Sequence, residues 1–230
     1  MSKQHKKDHQ EDSFENVENA LSRSEQFIEE NQNIISIVTL ALIVVVGGYW
    51  AMKKLYLQPL NEEAQKSIYA AQQHFAKDSF NLALNGDGNS IGFLDAIDEY
   101  GSTKAGNLAN YYAGVSYLHL GQFEKAIDYL ESFSCDDDII SATANGALGD
   151  ANLELGNKDK ALNFYEKATS VENELTAPVY LMKIGMLYET LNNSKKATEA
   201  YQTIKDKYPT STQARQIDKY LTRARLSAKK

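Results

Sequence analysis

The chain has very little cysteine and very little proline. Cys135 is the only cysteine in 230 residues, which excludes an intramolecular disulfide framework and leaves a free thiol. Only 3 residues are proline, while Ala, Leu, Tyr, Glu and Lys are spread along most of the chain. This composition favours helices over strands, and 43% hydrophobic residues suffice for a core. We therefore expect an all-α protein.

The sequence also lacks the motifs that carry common enzymatic chemistry. It contains no glycine-rich phosphate loop, no HExxH, no CxxC and no Ser/His/Asp grouping in a motif context. The acidic run Asp136-Asp137-Asp138 lacks the alternating spacing and the glycine of a calcium loop, so we interpret it as a helix-capping loop. We expect no enzymatic activity, no cofactor, no bound metal and no small-molecule substrate.

One long hydrophobic run is present, over residues 34–52. Its sequence, IISIVTLALIVVVGGYWAM, carries no charge, and Lys53 and Lys54 follow it. At about 1.5 Å per residue, such a run matches a hydrocarbon core of about 30 Å. The tail before it is too long and too acidic for the start of a signal peptide. We predict a transmembrane helix over residues 34–52 that anchors the protein.

Residues 1–33 form a polar N-terminal tail. Within it, apolar residues over 13–30 recur near a helical period and predict a short amphipathic helix, which either binds a partner helix or is merely solvated. The distribution of Lys and Arg around the span does not decide the orientation. A single uncleaved span before a large domain is typical of a signal anchor, so we expect the N-terminus in the cytoplasm and the large domain outside.

Small residues recur through the rest of the chain. Gly114, Gly149 and Gly185 follow one another at intervals of 35 and 36 residues, and an alanine stands 12 residues after each of them. Small side chains at these positions allow the second helix of a pair to approach the first. Gly121, Gly156 and the pair Asn192-Asn193 stand where the first helix must end, and these residue types tolerate left-handed backbone.

This pattern resembles tetratricopeptide repeats, whose period is about 34 residues. The resemblance covers three repeats over residues 107–209. The bulky aromatic residue usual at the fourth position is replaced by Asn110, Asn145 and Leu181, so the repeats are divergent. The resemblance to tetratricopeptide repeats implies an α-solenoid that follows the transmembrane helix.

The flanks of the repeats have the character of solenoid ends. Residues 53–106 are predicted to hold a connecting helix and a degenerate first repeat, with helices over 62–84 and 91–100. Pro209 is expected to restart a helix. Residues 210–230 are predicted to form a capping helix, amphipathic over 212–226, and a basic tail.

The resemblance also implies a binding groove lined by the first helices of the repeats. The groove positions are apolar and acidic and lack the Lys, Asn and Arg with which some family members bind a peptide carboxylate, so a co-chaperone of that kind is excluded. The two methionines either contact a bound segment or pack against the neighbouring repeat. The candidate groove residues are Leu108, Tyr111, Val115, His119, Asp150, Glu154, Val179, Met182, Met186 and Glu189.

Charge is distributed unevenly along the chain. Residues 62–194 hold 20 acidic and 8 basic side chains, a net charge of −12, whereas residues 195–230 hold 10 basic and 3 acidic, a net charge of +7. The acidic body repels nucleic acid and anionic lipid, and the basic end lacks interleaved aromatic residues. We expect no nucleic-acid binding and interpret the C-terminal end as a solvated basic helix.

The whole layout resembles the YfgM-type ancillary subunits of the bacterial Sec translocon. The stretch DSFNLALNGDGNSIGFLDAIDEYGSTKAGNLANYYAG, residues 78–114, is similar to versions in membrane-anchored repeat proteins of the Bacteroidota. The resemblance implies an inner-membrane protein with a periplasmic repeat domain. Its partners would be the Sec translocon, a membrane-anchored periplasmic chaperone of the PpiD type and nascent secreted chains. A scaffold for another cell-envelope assembly and an organelle import receptor stay open as alternatives.

Overall fold

The computed structural model describes residues 27–228. These residues fall into two compact units, one ending at Gln58 and one beginning at Pro59, and no strand occurs in them. Of the amphipathic helix predicted over residues 13–30, residues 13–26 lie outside the described part of the chain. The helices are α1 (Gln32–Ala51), α2 (Gln58–Ser67), α3 (Tyr69–Phe75), α4 (Phe80–Asn85), α5 (Phe93–Tyr100), α6 (Lys104–His119), α7 (Phe123–Ser132), α8 (Asp138–Glu154), α9 (Lys158–Ala168), α10 (Ala177–Thr190), α11 (Ser194–Lys207) and α12 (Ile217–Ser227).

The first unit is dominated by α1. None of its 20 residues is buried within the structure, and a π-helical segment, Met52–Leu57, follows it. By length and composition α1 belongs to a helical stretch that is long and apolar enough to cross a membrane. It coincides with most of the run predicted to span, residues 34–52.

In the second unit, three helix pairs are packed through their glycines. The pairs are α6 with α7, α8 with α9, and α10 with α11. A Cβ atom at Gly149 would overlap the ring of Tyr165, and one at Gly185 would overlap the ring of Tyr201. The alanines that follow the glycines, at positions 126, 161 and 197, are fully buried. The expected close approach of the paired helices is therefore present.

The turns inside the pairs have the predicted geometry. Gly121 has φ of 71°, Gly156 has φ of 78° and Asn192 has φ of 55°, all in the left-handed region. Each residue follows the end of a first helix. Glycine and asparagine adopt this conformation at low cost, which explains their recurrence at this position.

The region before the repeats differs from the prediction of one helix over residues 62–84. The helix ends after Phe75, Asp78 adopts φ of 55°, and α4 begins at Phe80. This break turns the chain back, so that the Phe80 ring packs edge-on against Phe75 at 5.6 Å. Leu84 is consequently buried, whereas Leu82 is 43% exposed.

The C-terminal end also differs in one respect. Pro209 was expected to restart a helix, but it lies in a turn, and regular helix begins only at Ile217 after a short 3₁₀ segment, Ala214–Gln216. The expected cap is nevertheless formed by α12. Its residues Ile217, Leu221 and Ala224 are buried against α11 in one apolar cluster.

Candidate protein-binding surface

The candidate groove residues are carried by the first helices of the three pairs. We call the side of α6, α8 and α10 on which they lie the first-helix surface. The full candidate set consists of Leu108, Tyr111, Val115 and His119 on α6, Asp150 and Glu154 on α8, and Val179, Met182, Met186 and Glu189 on α10. Only some of these residues line one site.

The residues on α6 take part mainly in packing. Tyr111 and Val115 are half-buried against the cluster that contains Leu148. The ring of His119 stacks on Phe80 of α4, with centroids 4.4 Å apart and ring planes 2° apart. These side chains join α6 to its neighbours, and Leu108 is half-buried as well.

The residues on α10 divide between packing and exposure. Met182 is half-buried beside the cluster formed by α11 and α12, and Val179 is also half-buried. Met186 is 41% exposed. Of the two interpretations of the methionines, packing therefore describes Met182, and Met186 is the one available to a ligand.

A cavity of about 310 Å³ lies between α8 and α10 on the first-helix surface. Leu153, Met186 and Leu187 supply its apolar lining, and the charged residues Asp150, Lys158 and Lys183 also line it. Glu154 is exposed on the same helix as Asp150. An apolar side chain of a protein partner fits a site of this kind, with charged groups that fix its orientation.

Asp150 is the centre of a hydrogen-bonded group in this cavity. Lys183 donates from Nζ to both carboxylate oxygens, at 2.6 Å and 2.7 Å, and the Tyr165 hydroxyl donates at 2.7 Å. The Lys183 Nζ also lies 5.6 Å and 5.7 Å from the ring centroids of Tyr165 and Tyr180. The ammonium group is thereby held between two aromatic rings and a carboxylate.

Burial raises the pKa of the tyrosines beside this group. Desolvation raises the pKa of Tyr165 well above its usual value, and the hydrogen bond to Asp150 raises it further. Desolvation also raises the pKa of Tyr180 to about 12, with Asp150 adding to the effect. Both hydroxyls therefore stay protonated to a higher pH than an exposed tyrosine would, and Tyr165 acts as a hydrogen-bond donor.

Glu189 forms a second group, one repeat further along. It accepts hydrogen bonds from Arg223 of α12, including one from Nε at 2.9 Å, and from the Tyr201 hydroxyl at 3.1 Å. Desolvation and then Glu189 raise the pKa of Tyr201. The acidic character predicted for the groove is thus largely compensated at Asp150 and Glu189.

Sequence reasoning did not assign Lys183, Leu153 or Arg223 to the site. A signal for the two cations exists, because Lys183 stands 33 residues after Asp150 and Arg223 stands 34 residues after Glu189. Both separations equal about one repeat, which places the partners on α8 and α10 in the first case and on α10 and the capping helix α12 in the second. A search for opposite charges at the repeat interval identifies both pairs.

The loop before α8 has the predicted capping role. Asp137 accepts hydrogen bonds from the backbone N–H groups of Ile139 and Ile140 through Oδ1, at 3.0 Å and 2.9 Å. Cys135 is half-buried and free, and its sulfur accepts the N–H of Asp137. Within residues 27–228, no cluster of three or more His, Cys, Asp or Glu side chains is placed to hold a metal ion.

These helix pairs define a protein of the helical-repeat class. The Tetratricopeptide repeat family matches residues 108–134 and 180–211, and a second description of the same repeat matches residues 142–174. The matches begin on α6, α8 and α10. The chain therefore contains tetratricopeptide repeats, and the prediction of these repeats is confirmed.

Solved structures of repeat proteins are similar to the chain. A crystal structure of MamA is 24% identical over 60% of this chain and 89% of its own, with a TM-score of 0.42. Another MamA structure is 21% identical over 73% and 89%, with a TM-score of 0.49. Nearly identical TPR-like repeats from a Podosopora anserina kinesin light chain are 11% identical over 73% and 87%, with a TM-score of 0.54. The last likeness supports the fold, and a comparison with curated proteins finds no match.

Proposed function

We propose that the protein is a non-enzymatic, membrane-anchored interaction subunit that assists the Sec translocon and a PpiD-type periplasmic chaperone during secretion. One observation carries the proposal: an accessible cavity on a tetratricopeptide-repeat surface and an apolar helix of spanning length occur in the same chain. Tetratricopeptide repeats typically bind protein partners. A membrane anchor would hold such a surface beside a membrane-embedded machine.

The C-terminal end of the apolar helix supports anchoring. Trp50 is exposed, and the Lys54 ammonium lies 4.9 Å from the centroid of its ring. Tyr49 and Tyr56 are exposed in the same region. Aromatic and basic side chains together are favoured at the level of the lipid headgroups. The proposed location is the bacterial inner membrane, with the N-terminus in the cytoplasm and the repeats in the periplasm.

Protease treatment of intact spheroplasts tests the location of the repeats. We expect added protease to degrade residues 59–228 while leaving a membrane-embedded fragment. Complete protection of the repeat unit until the membrane is permeabilised would instead place the repeats in the cytoplasm and contradict the proposal. Extraction at alkaline pH, which releases peripheral proteins, gives the matching check on the anchor, and the protein is expected to stay in the membrane fraction.

Photo-crosslinking tests the partners. A photoreactive residue at Met186, which lines the cavity, is expected to form adducts with Sec subunits, the chaperone or secreted chains. The control is the same residue at Leu175, which is 69% exposed outside the cavity. Adducts only with another envelope complex would favour the scaffold alternative. Identical adducts from both positions would show that the cavity has no special role.

A further inference from the structure

A second cleft lies away from the first-helix surface, between the second helices α7 and α9. It has a volume of about 450 Å³. Glu124, Asp128 and Glu131 of α7 line it, and their spacing of four and three residues places them on one helix face. Ile127 and Phe164, both half-buried, provide apolar surface between the charges.

The three carboxylates of this cleft form no ion pair with any cation in residues 27–228. Lys160 is the one cation that lines the cleft in that part of the chain. Like charges three and four residues apart on a helix repel one another by a few tenths of a kcal/mol. The cleft therefore favours a ligand that brings positive charge and an apolar group together.

The exposed face of α12 has this chemistry. Leu226 is 60% exposed, and Lys219 and Arg225 are exposed on the same helix. Neither cation belongs to an ion pair in residues 27–228, and Arg225 donates to the neutral amide oxygen of Gln202. Arg223, by contrast, is neutralised by Glu189.

Within one molecule these two surfaces do not meet. α12 is fixed on α11 by its buried residues Ile217, Leu221 and Ala224, and the pair α10 and α11 separates it from α9. The basic face of α12 is consequently left uncovered at one end of the stack. A second molecule is needed to bring an α12 face to the cleft.

We propose that the cleft between α7 and α9 binds α12 of a second copy of this chain. Leu226 of one copy would enter between Ile127 and Phe164 of the other, and Lys219 and Arg225 would pair with the carboxylates of α7. The lengths agree: α12 has 11 residues, and α7 and α9 have 10 and 11, so each is about 15–17 Å long. Because the two copies use different surfaces, the contact is head-to-tail and can continue from copy to copy.

Charge reversal tests this contact in the full chain, solubilised in detergent and followed by sedimentation velocity. The wild type is expected to self-associate at about 50 mM salt and about tenfold or more weakly at about 500 mM. Glu124→Lys with Asp128→Lys, or Lys219→Glu with Arg225→Glu, should each weaken association by a similar factor. A mixture of the two variants should associate again, because the unchanged α12 of the first variant can bind the unchanged cleft of the second, and the two reversed surfaces are also complementary in charge.

A matched control separates this contact from a general effect of charge. Asp95→Lys with Asp98→Lys on α5 changes the net charge equally at exposed positions outside the cleft and should leave association unchanged. Circular dichroism confirms the folding of each variant. A wild type that stays monomeric at low salt would overturn the proposal. So would association that the reversals leave intact, or reversals that the mixture does not rescue.

Discussion

At the scale of the residue, two of the three repeat glycines, Gly149 and Gly185, provide space for a tyrosine ring of the paired helix, and Gly114 provides space for Leu130. Gly149 leaves room for the Tyr165 ring, and the Tyr165 hydroxyl donates a hydrogen bond to Asp150 on the same helix as Gly149. Gly185 leaves room for Tyr201 in the same way, and that hydroxyl reaches Glu189. The absence of a side chain on the first helix therefore serves both the packing of the pair and the hydrogen bonds of the candidate site.

Substitution of Gly149 tests this role. Gly149→Ala is expected to destabilise the protein, because overpacking against a rigid ring costs about 1–3 kcal/mol and exceeds the gain of about 1 kcal/mol in helix propensity. In a Tyr165→Ala background the ring is gone, so the same substitution should stabilise. Urea unfolding of the four variants measures both effects. A loss of equal size in the two backgrounds would contradict the explanation.

At the scale of the element, α12 completes the third pair. Its buried face covers Tyr201 and Ile204 of α11, and Arg223 ties it to Glu189 of α10. In stacked repeats each unit is stabilised mainly by its neighbours. The terminal pair therefore depends on α12 more strongly than the first pair does.

Truncation after Thr210 tests this dependence. Removal of the remaining residues should expose Tyr201 and Ile204, and amide hydrogen exchange should become faster throughout α10 and α11 while α6 and α7 keep most of their protection. Arg223→Ala in the full chain is the control for the ion pair alone and should have a much smaller effect. Equal loss of protection in all three pairs would show instead that the repeats unfold as one unit.

The helix pairs were predictable because their signal is periodic. Glycines, alanines and turn residues each recur at the repeat interval, so the recurrence at each position strengthens the assignment of the repeats made from the others. The break between α3 and α4 was not predictable in this way. The left-handed conformation of Asp78 accompanies the contact of Phe80 with Phe75, and that tertiary contact has no periodic signal in the sequence.

The candidate site was predictable only in part. The repeat register indicated that Asp150, Met186 and Glu189 lie on first helices, but it did not show which acidic side chains are already paired. Pairing depends on the directions of long side chains such as Lys183 and Arg223, which spacing alone does not determine. Burial of Met182 beside α12 likewise depends on where the capping helix packs.

At the scale of the whole molecule, the buried tyrosines make stability depend on alkaline pH. The pKa of Tyr180 is raised from 10.0 to about 12, and those of Tyr165 and Tyr201 are raised as well. The unfolded chain releases these protons near pH 10, whereas the folded chain retains them. The stability that these tyrosines contribute is therefore fully present below pH 10 and is lost as the pH rises through the folded pKa values.

Tyr180→Phe isolates one contribution to this dependence. For the wild type, the free energy of unfolding should fall between pH 10 and pH 12, with Tyr180 accounting for at most about 2–3 kcal/mol. The variant should show a shallower decline over the same range, because phenylalanine does not ionise. Chemical unfolding at a series of pH values measures both slopes. Equal slopes for the two proteins would mean that Tyr180 ionises as freely in the fold as in the unfolded chain.

The pairing of Asp150 with Lys183 restricts what a ligand gains from the cavity. A visiting ammonium or guanidinium group finds the carboxylate already satisfied, so it must compete with a resident cation that is held in place by two rings. An uncharged ligand group does not have to displace Lys183. The cavity therefore favours apolar side chains of a ligand over basic ones, even though the surrounding repeat region carries a large negative net charge.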